Sequence, residues 1–302
     1  MSFSTDWLGF TVVAAAVTVM GNLLATFLKE SLFAQALERW KAKQTVATVY
    51  NRYRLPIYLA ADELCSRFHG LSRQENERIV RNIGIQDLKS PPMRERHAMV
   101  SDHYLHYRFI SNTYRLCSFL GRIELYRRDI GALDVETTDK NRRLEQCLRK
   151  IRSALADGWI NQHPNQPEWT DCLIFREELR AIGSRMIAPG DIPRVIDFGA
   201  FYEIISGDPE GQKEGRWLIQ AGLFFDRLVR EKDFRLVRMR MIVAHLTELM
   251  MLLYPKRVSQ EYQKTAQVSR QLFDQMTGGP KWRETPYTPE LVSRATALAP
   301  SE

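Results

Sequence analysis

At 302 residues, with 44% hydrophobic and 10% aromatic content, the chain can build one large domain or two small ones beyond any anchor, and wholesale disorder is excluded. A net charge of +7 and a pI of about 9.3 suit nucleic acid, and suit equally a domain held against an anionic membrane leaflet. The four cysteines, Cys65, Cys117, Cys147 and Cys172, are widely spaced and form no C-x-x-C pair, which argues against a zinc ribbon or a thioredoxin-type centre. Each sits in an apolar helical context, where a buried free thiol in a reducing compartment is the ordinary case.

The first element is Trp7 to Leu28, WLGFTVVAAAVTVMGNLLATFL, an uncharged run bounded by Asp6 and by Lys29-Glu30. As a helix it is roughly 33 Å long, enough for a hydrocarbon core of about 30 Å. A cleaved signal peptide would need a positive n-region and a shorter apolar core; residues 1–6 hold no Lys or Arg, and the pattern continues as helix past Leu28. A retained transmembrane helix over residues 7–28 is therefore expected, with residues 1–6 as a short external N-terminus. Lys29, Arg39, Lys41, Lys43, Arg52 and Arg54 follow the span, so the positive-inside rule places the N-terminus outside and the C-terminus in the cytoplasm of a single-pass inner-membrane protein. With such an anchor, the lipid bilayer is the more economical partner for the basic charge. Ala14, Thr18, Gly21 and Ala25 form a stripe of small residues along one face, suited to homo-oligomerisation by close helix approach, with Asn22 beside it.

Beyond Lys29, Phe33, Leu37 and Trp40, then Val46, Tyr50, Tyr53 and Ile57, keep helical spacing and predict a juxtamembrane rod over residues 29–55. Pro56 opens the next helix or kinks a continuous one, which ends at Gly70. Ser72-Arg73-Gln74-Glu75 is a capping box for a short helix to about Asn82, and Lys89-Ser90-Pro91-Pro92 is a break. A long aromatic helix runs to Asp129, with Tyr104, Tyr107, Phe109, Tyr114, Phe119 and Tyr126. A turn over 133–138 leads to the helix NRRLEQCLRKIRSAL, and 157–171 is loop. Cys172 to Ile187 is read as helix, ended by Ala188-Pro189-Gly190-Asp191. A short helix near 195–205 precedes the turn Gly207 to Gly211. One last long helix is expected from Gly215 to Tyr254, ended by Pro255. Residues 255–277 carry an amphipathic helix and 278–302 read as a disordered tail. No alternating β-branched run survives, so the fold class is all-α, with a helical cytoplasmic domain over 56–254.

Chemistry-bearing motifs are scarce. No phosphate-binding glycine loop and no nucleophile elbow occurs. Asp102, His103 and His106, with His97 upstream, have helical spacing that would face one ion, but the only echo is His245-x-x-Glu248 in reversed order. Polar histidines are the ordinary reading. Arginine is the more unusual feature: Arg115, Arg122, Arg127 and Arg128 on the aromatic helix; Arg176, Arg180 and Arg185 on FREELRAIG; Arg227, Arg230, Lys232, Arg235, Arg238 and Arg240 on the last. Interleaved aromatics would suit a single-stranded nucleic acid. The admixed Glu124, Asp129, Glu177, Glu178, Glu231 and Asp233 point instead to inter-helix ion pairing, with a small anionic ligand as the alternative and nucleic acid not expected. No catalytic, cofactor-binding or metal residue and no cofactor is assigned.

YRLPIYLAADELCSRFHGL, SNTYRLCSFLGRIELYRRD and FREELRAIGSRMI together resemble a loose group of uncharacterised bacterial membrane-anchored helical proteins. The resemblance spans much of residues 45 to 190 and rests on packing motifs. It implies a bacterial cytoplasmic-side domain and carries no activity or site residue with it. The leading functional expectation is a non-enzymatic single-span scaffold, sensor or effector acting through self-association. The alternative is a membrane-tethered enzyme or receptor for an anionic ligand bound by the arginine-rich helices.

Overall fold

A computed structural model of the chain describes residues 5–72, 100–132, 138–156, 173–206, 209–226, 228 and 234–276. The all-α class holds: of the described residues, 86% are helix and 2% strand. Expectations for the capping box at Ser72–Glu75, the break at 89–92, the loop 157–171 and the tail 278–302 fall outside the described residues, apart from Ser72 itself.

The first helix, α1, runs Thr5–Ser72 with Pro56 inside it. At 1.5 Å per residue it is about 100 Å long. An interior proline costs about 3 kcal/mol by removing a backbone donor. Here that loss is offset by the burial of Tyr53, Ile57, Tyr58, Ala61, Leu64, Cys65 and Phe68 on both sides of it. The helix ends with the Ser72 hydroxyl donating back to the His69 carbonyl at 3.0 Å.

Helices α2 (Val100–Gly131) and α7 (Phe234–Leu253) flank the buried last third of α1. α7 is apolar nearly all round, as a central helix must be, burying Met239, Ile242, Val243, Leu246, Leu249 and Met250. Helices α3 (Asp139–Ala156) and α8 (Gln260–Met276) cover α7, and α4 (Arg176–Arg185) covers α2. The expected helix Cys172–Ile187 starts later, because Phe175 is extended and its N–H is taken by the Glu178 carboxylate at 2.8 Å. Just before it, the Ile174 N–H donates to the Leu155 carbonyl at 3.1 Å, tying the entry of α4 to the end of α3.

The break at Ala188–Asp191 is a hairpin that hydropathy did not reveal. β1 (Ile187–Ala188) pairs antiparallel with β2 (Arg194–Val195), Ile187 opposite Val195, with Gly190 at φ 146° in the connection. Short helices α5 (Phe198–Ser206) and α6 (Pro209–Leu223) follow.

The single helix expected over Gly215–Tyr254 is two helices. α6 stops at Leu223, residues 224–226 turn, and α7 begins at Phe234. The cause is aromatic. Phe224 and Phe225 both bring their rings to 5.9 Å from the Phe68 ring, whereas consecutive residues on one helix point about 100° apart. Sequence periodicity cannot register that convergence.

Helices α2 and α4 pack at a distance only small residues permit. A Cβ on Gly183 would lie 2.9 Å from the Leu120 carbonyl oxygen, and one on Gly121 would lie 2.7 Å from the Met186 Cβ. Both contacts are to atoms that cannot swing away. Gly183→Ala is accordingly expected to force the two helices apart and destabilise the protein by about 1–3 kcal/mol, read as a lowered urea midpoint. An unchanged midpoint would remove the close crossing from the account of the fold.

Candidate functional site: an exposed stem and the placement of the arginines

α1 changes environment along its length. Every described side chain from residue 15 to Lys41 is exposed, including Val17 at 66%, Met20 at 72%, Phe27 at 70% and Phe33 at 71%. From Val46 onward the inward face is buried. The helix is thus a stem followed by a core column.

Among the described residues no helix is long and apolar enough to cross a membrane. The expected span, residues 7–28, is described in side-chain detail only at 15–22 and Phe27, all of them exposed. Of the small-residue stripe, the side chains of Ala14 and Ala25 lie outside the described residues. Thr18 and Gly21 are exposed, and a Cβ on Gly21 would meet open space.

A collar of polar contacts surrounds the stem where it enters the domain. Arg52 and the Tyr53 hydroxyl both reach the Asp129 carboxylate at the end of α2, at 3.2 and 2.8 Å. Arg54 donates to the Leu253 carbonyl at 2.9 Å, and its guanidinium lies 4.0 Å from the centre of the Tyr254 ring. The Tyr58 hydroxyl donates to the Arg257 carbonyl at 3.3 Å.

Arg54 is one of four arginines doing the same job. Arg240 donates to the Ser72 carbonyl at 3.1 Å, Arg238 to the Ala154 carbonyl at 2.7 Å, and Arg235 to the Leu223 carbonyl at 3.1 Å and to the Asp226 carbonyl. With Leu253, these are the last turns of α1, α3, α6 and α7. A helix end leaves carbonyls without intrahelical donors and carries partial negative charge, so a guanidinium satisfies both. Arg238 is fully buried, and burial brings Arg240 down to about 10. The basic run on α7 is therefore largely internal. The side chains of Arg227, Arg230 and Lys232 lie outside the described residues.

The expected inter-helix ion pairing is present in part. Arg52 meets Asp129, and Lys150 meets Glu248 at 2.8 Å; Arg128 pairs within its own helix with Glu124 at 3.5 Å and reaches the Ser184 hydroxyl at 3.0 Å. The aromatics of α2 are mostly interior: Phe119 and Tyr126 are fully buried, and Tyr114 packs edge-on against Phe198 and Phe201.

A second set of arginines takes no helix end. The contacts of Gly121 with Met186, Gly183 with Leu120 and Glu124, and Arg128 with Ser184 set the α2–α4 register. The Leu155–Ile174 hydrogen bond ties the last turn of α3 to the entry of α4, and the Arg152 Nε donates to the Leu148 carbonyl of its own helix at 3.4 Å. Arg152 is half-buried, and burial lowers its basicity, helped by the positive charges of Arg127, Arg180 and Arg149 and opposed by Glu145.

His106 is buried and edge-on to Tyr202, while the side chains of Asp102 and His103 and all of His97 lie outside the described residues. His245 Nδ1 lies 3.8 Å from Glu248, which also receives Lys150. Among the described residues no group of three His, Cys, Asp or Glu side chains is placed to hold a metal ion. Cys65, Cys117 and Cys147 are buried; burial pushes the Cys65 thiol up to about 12, far from a nucleophilic thiolate at neutral pH. Cys172 lies outside the described residues.

Compared with known proteins, the chain matches no family model, no curated protein and no solved structure.

Two outcomes test the collar. Arg54→Met removes one carbonyl donor and one ring contact and is expected to cost about 1–2 kcal/mol, against less than about 0.5 for the exposed Arg142→Met, by urea denaturation. Burial and then the Asp129 hydrogen bond raise the Tyr53 phenol to about 12. A phenol raised above its unfolded value near 10 contributes stability that is complete below about pH 10 and lost as pH rises through 12. Tyr53→Phe should therefore shallow the fall in stability over that window by about 1–2 kcal/mol. An unchanged alkaline limb would dissociate Tyr53 from it.

Proposed function

We propose that this is a single-span membrane protein: residues 7–28 cross the bilayer, the N-terminus lies outside, and the helical domain is displayed on the cytoplasmic side of a bacterial inner membrane. It acts as a scaffold, sensor or effector through self-association. The observation that carries the reading is the exposure of Val17, Val19, Met20 and Phe27 on α1, where every described side chain from residue 15 to Lys41 is exposed. Each such side chain gains about 1.5–3 kcal/mol on leaving water, and a monomer gives them nowhere to go. Lipid covers them, and the Lys29–Arg54 charges set the direction.

The stem also supports a transmitting role. Residues 29–45 make about 25 Å of helix between the span and the first buried position, Val46, with no described break in secondary structure. Pairing of two spans through the Thr18–Gly21 face would fix the separation of two domains. Helix rotation or association in the membrane then reaches the core column directly through the Arg52–Tyr53–Asp129 and Arg54–Leu253 contacts.

A second reading, a membrane-tethered enzyme or receptor for an anionic ligand, is favoured by one observation: the half-buried Arg152 feels the positive charges of Arg127, Arg180 and Arg149, with Glu145 in opposition.

The full chain, expressed in a bacterium, is expected in the membrane pellet, resistant to alkaline carbonate and released by detergent. A C-terminal reporter should be active only in the cytoplasm. Release by carbonate, or a reporter active only outside, contradicts the proposal. Gly21→Leu should lower the oligomeric state in detergent by light scattering without releasing the protein from membranes.

A further inference from the structure

We propose that Phe33, Leu37 and Trp40 form a seam through which the stems of two copies of this chain pair, parallel and side by side, between the membrane and the domain. The inference rests on the single-span reading above and gives its self-association a contact surface separate from the Thr18–Gly21 face.

Three observations carry it. First, these large side chains stand in the open on α1: Phe33 is 71% exposed, Leu37 40% and Trp40 58%. Lipid does not reach the last two. With the span ending at Leu28, Leu37 and Trp40 lie about 14 and 18 Å beyond it, past a head-group layer roughly 5–8 Å deep. The domain does not reach them either, since the first buried position of α1 among the described residues is Val46. Second, their spacing of four and then three residues is that of successive core positions in a two-stranded coiled coil, which keeps one stripe turned to a partner helix. Ala34 and Ala36 take the two shoulders of that stripe, where small exposed side chains let a partner approach, and Glu38 falls at an outer position.

Third, the size of the seam selects its occupant. At these exposures Phe33 and Trp40 leave roughly 100–150 Å² each to be covered and Leu37 somewhat less, so one copy offers about 300–400 Å². A stand-alone interface takes about 800 Å² from each partner. A soluble partner, which gives up free translation and rotation on binding, gains too little from this seam to stay. A second copy held in the same bilayer has already given up most of that freedom, and its anchor supplies a high effective concentration. Insertion in one direction makes the pair parallel and sets both seams at one height above the membrane. At 100° per residue the seam lies roughly 100° round α1 from Thr18 and Gly21. It is therefore no continuation of that face, and a copy that uses both faces touches two neighbours.

The test places single cysteines at three exposed positions of the full chain in bacterial membranes and forms inter-chain disulfides with copper phenanthroline. Leu37→Cys lies on the seam, Leu32→Cys on the Thr18–Gly21 side, and Gln35→Cys opposite the seam. The wild-type chain, whose Cys65, Cys117 and Cys147 are buried, gives the baseline. Leu37→Cys is expected to yield at least about fivefold more cross-linked dimer than Gln35→Cys or the baseline. Cross-linking confined to Leu32→Cys overturns the seam and leaves self-association to the other face. Equal yields at all three positions are random collision and overturn the seam; no dimer at any position overturns the seam and the self-association reading together. In a second measurement, Leu37→Ala/Trp40→Ala is compared with its parent in the Gly21→Leu background, in phosphatidylcholine vesicles, by energy transfer between C-terminally labelled copies. Both side chains are exposed in a single copy, so their loss leaves the fold intact. Association is expected to weaken about tenfold or more, and association that the variant leaves unchanged overturns the seam.

Discussion

α1 passes without interruption from an exposed stem into the interior of the domain, and the other helices are arranged on that continuity. Its last third is the column against which α2 and α7 pack, and its earlier turns are exposed wherever they are described. A helix so built cannot be detached from the domain as a passive tether, since removing it would empty the core of Ile57, Leu64 and Phe68. Any force or rotation applied to the stem arrives at buried side chains with no loop in between. Pro56 costs the backbone a donor inside this column, yet dense burial before and after it keeps the helix whole.

Arginine has two distinct employments in this molecule. Helices that end inside a compact bundle leave carbonyls turned towards protein, and long guanidinium side chains from a neighbouring helix reach them. Three of these donors come from α7, which thereby holds the ends of α1, α3 and α6, while α1 returns the service through Arg54. The basic composition that suggests nucleic acid is in this way partly structural. Arg152 differs, since Arg127, Arg180 and Arg149 add positive charge around it and Glu145 opposes them.

Much of the architecture was legible in sequence because it depends on local periodicity. The buried faces of α1 over 46–68 and of α3 follow apolar spacing, and Pro255 marks a real boundary, whereas α6 begins at Pro209, inside the turn expected over Gly207–Gly211. The division of the last long helix was not legible, since it depends on Phe224 and Phe225 turning together onto Phe68, a residue more than 150 positions away. The hairpin at 187–195 escaped notice because two-residue strands have no measurable alternation. Asp102, His103 and His106 had suggestive spacing, but spacing on one helix says nothing of what faces it, and His106 faces an aromatic ring.

By itself, the sequence determined the helical class, the apolar character of residues 7–28 and the asymmetry of charge after them, because hydropathy and charge are properties of neighbouring residues. Only the tertiary structure decided that stem and core column are one helix, and which arginines close helix ends. Those outcomes depend on carbonyls, glycine contacts and rings brought together from distant parts of the chain, and a carbonyl left open at a helix end has no signature in the sequence that will fill it.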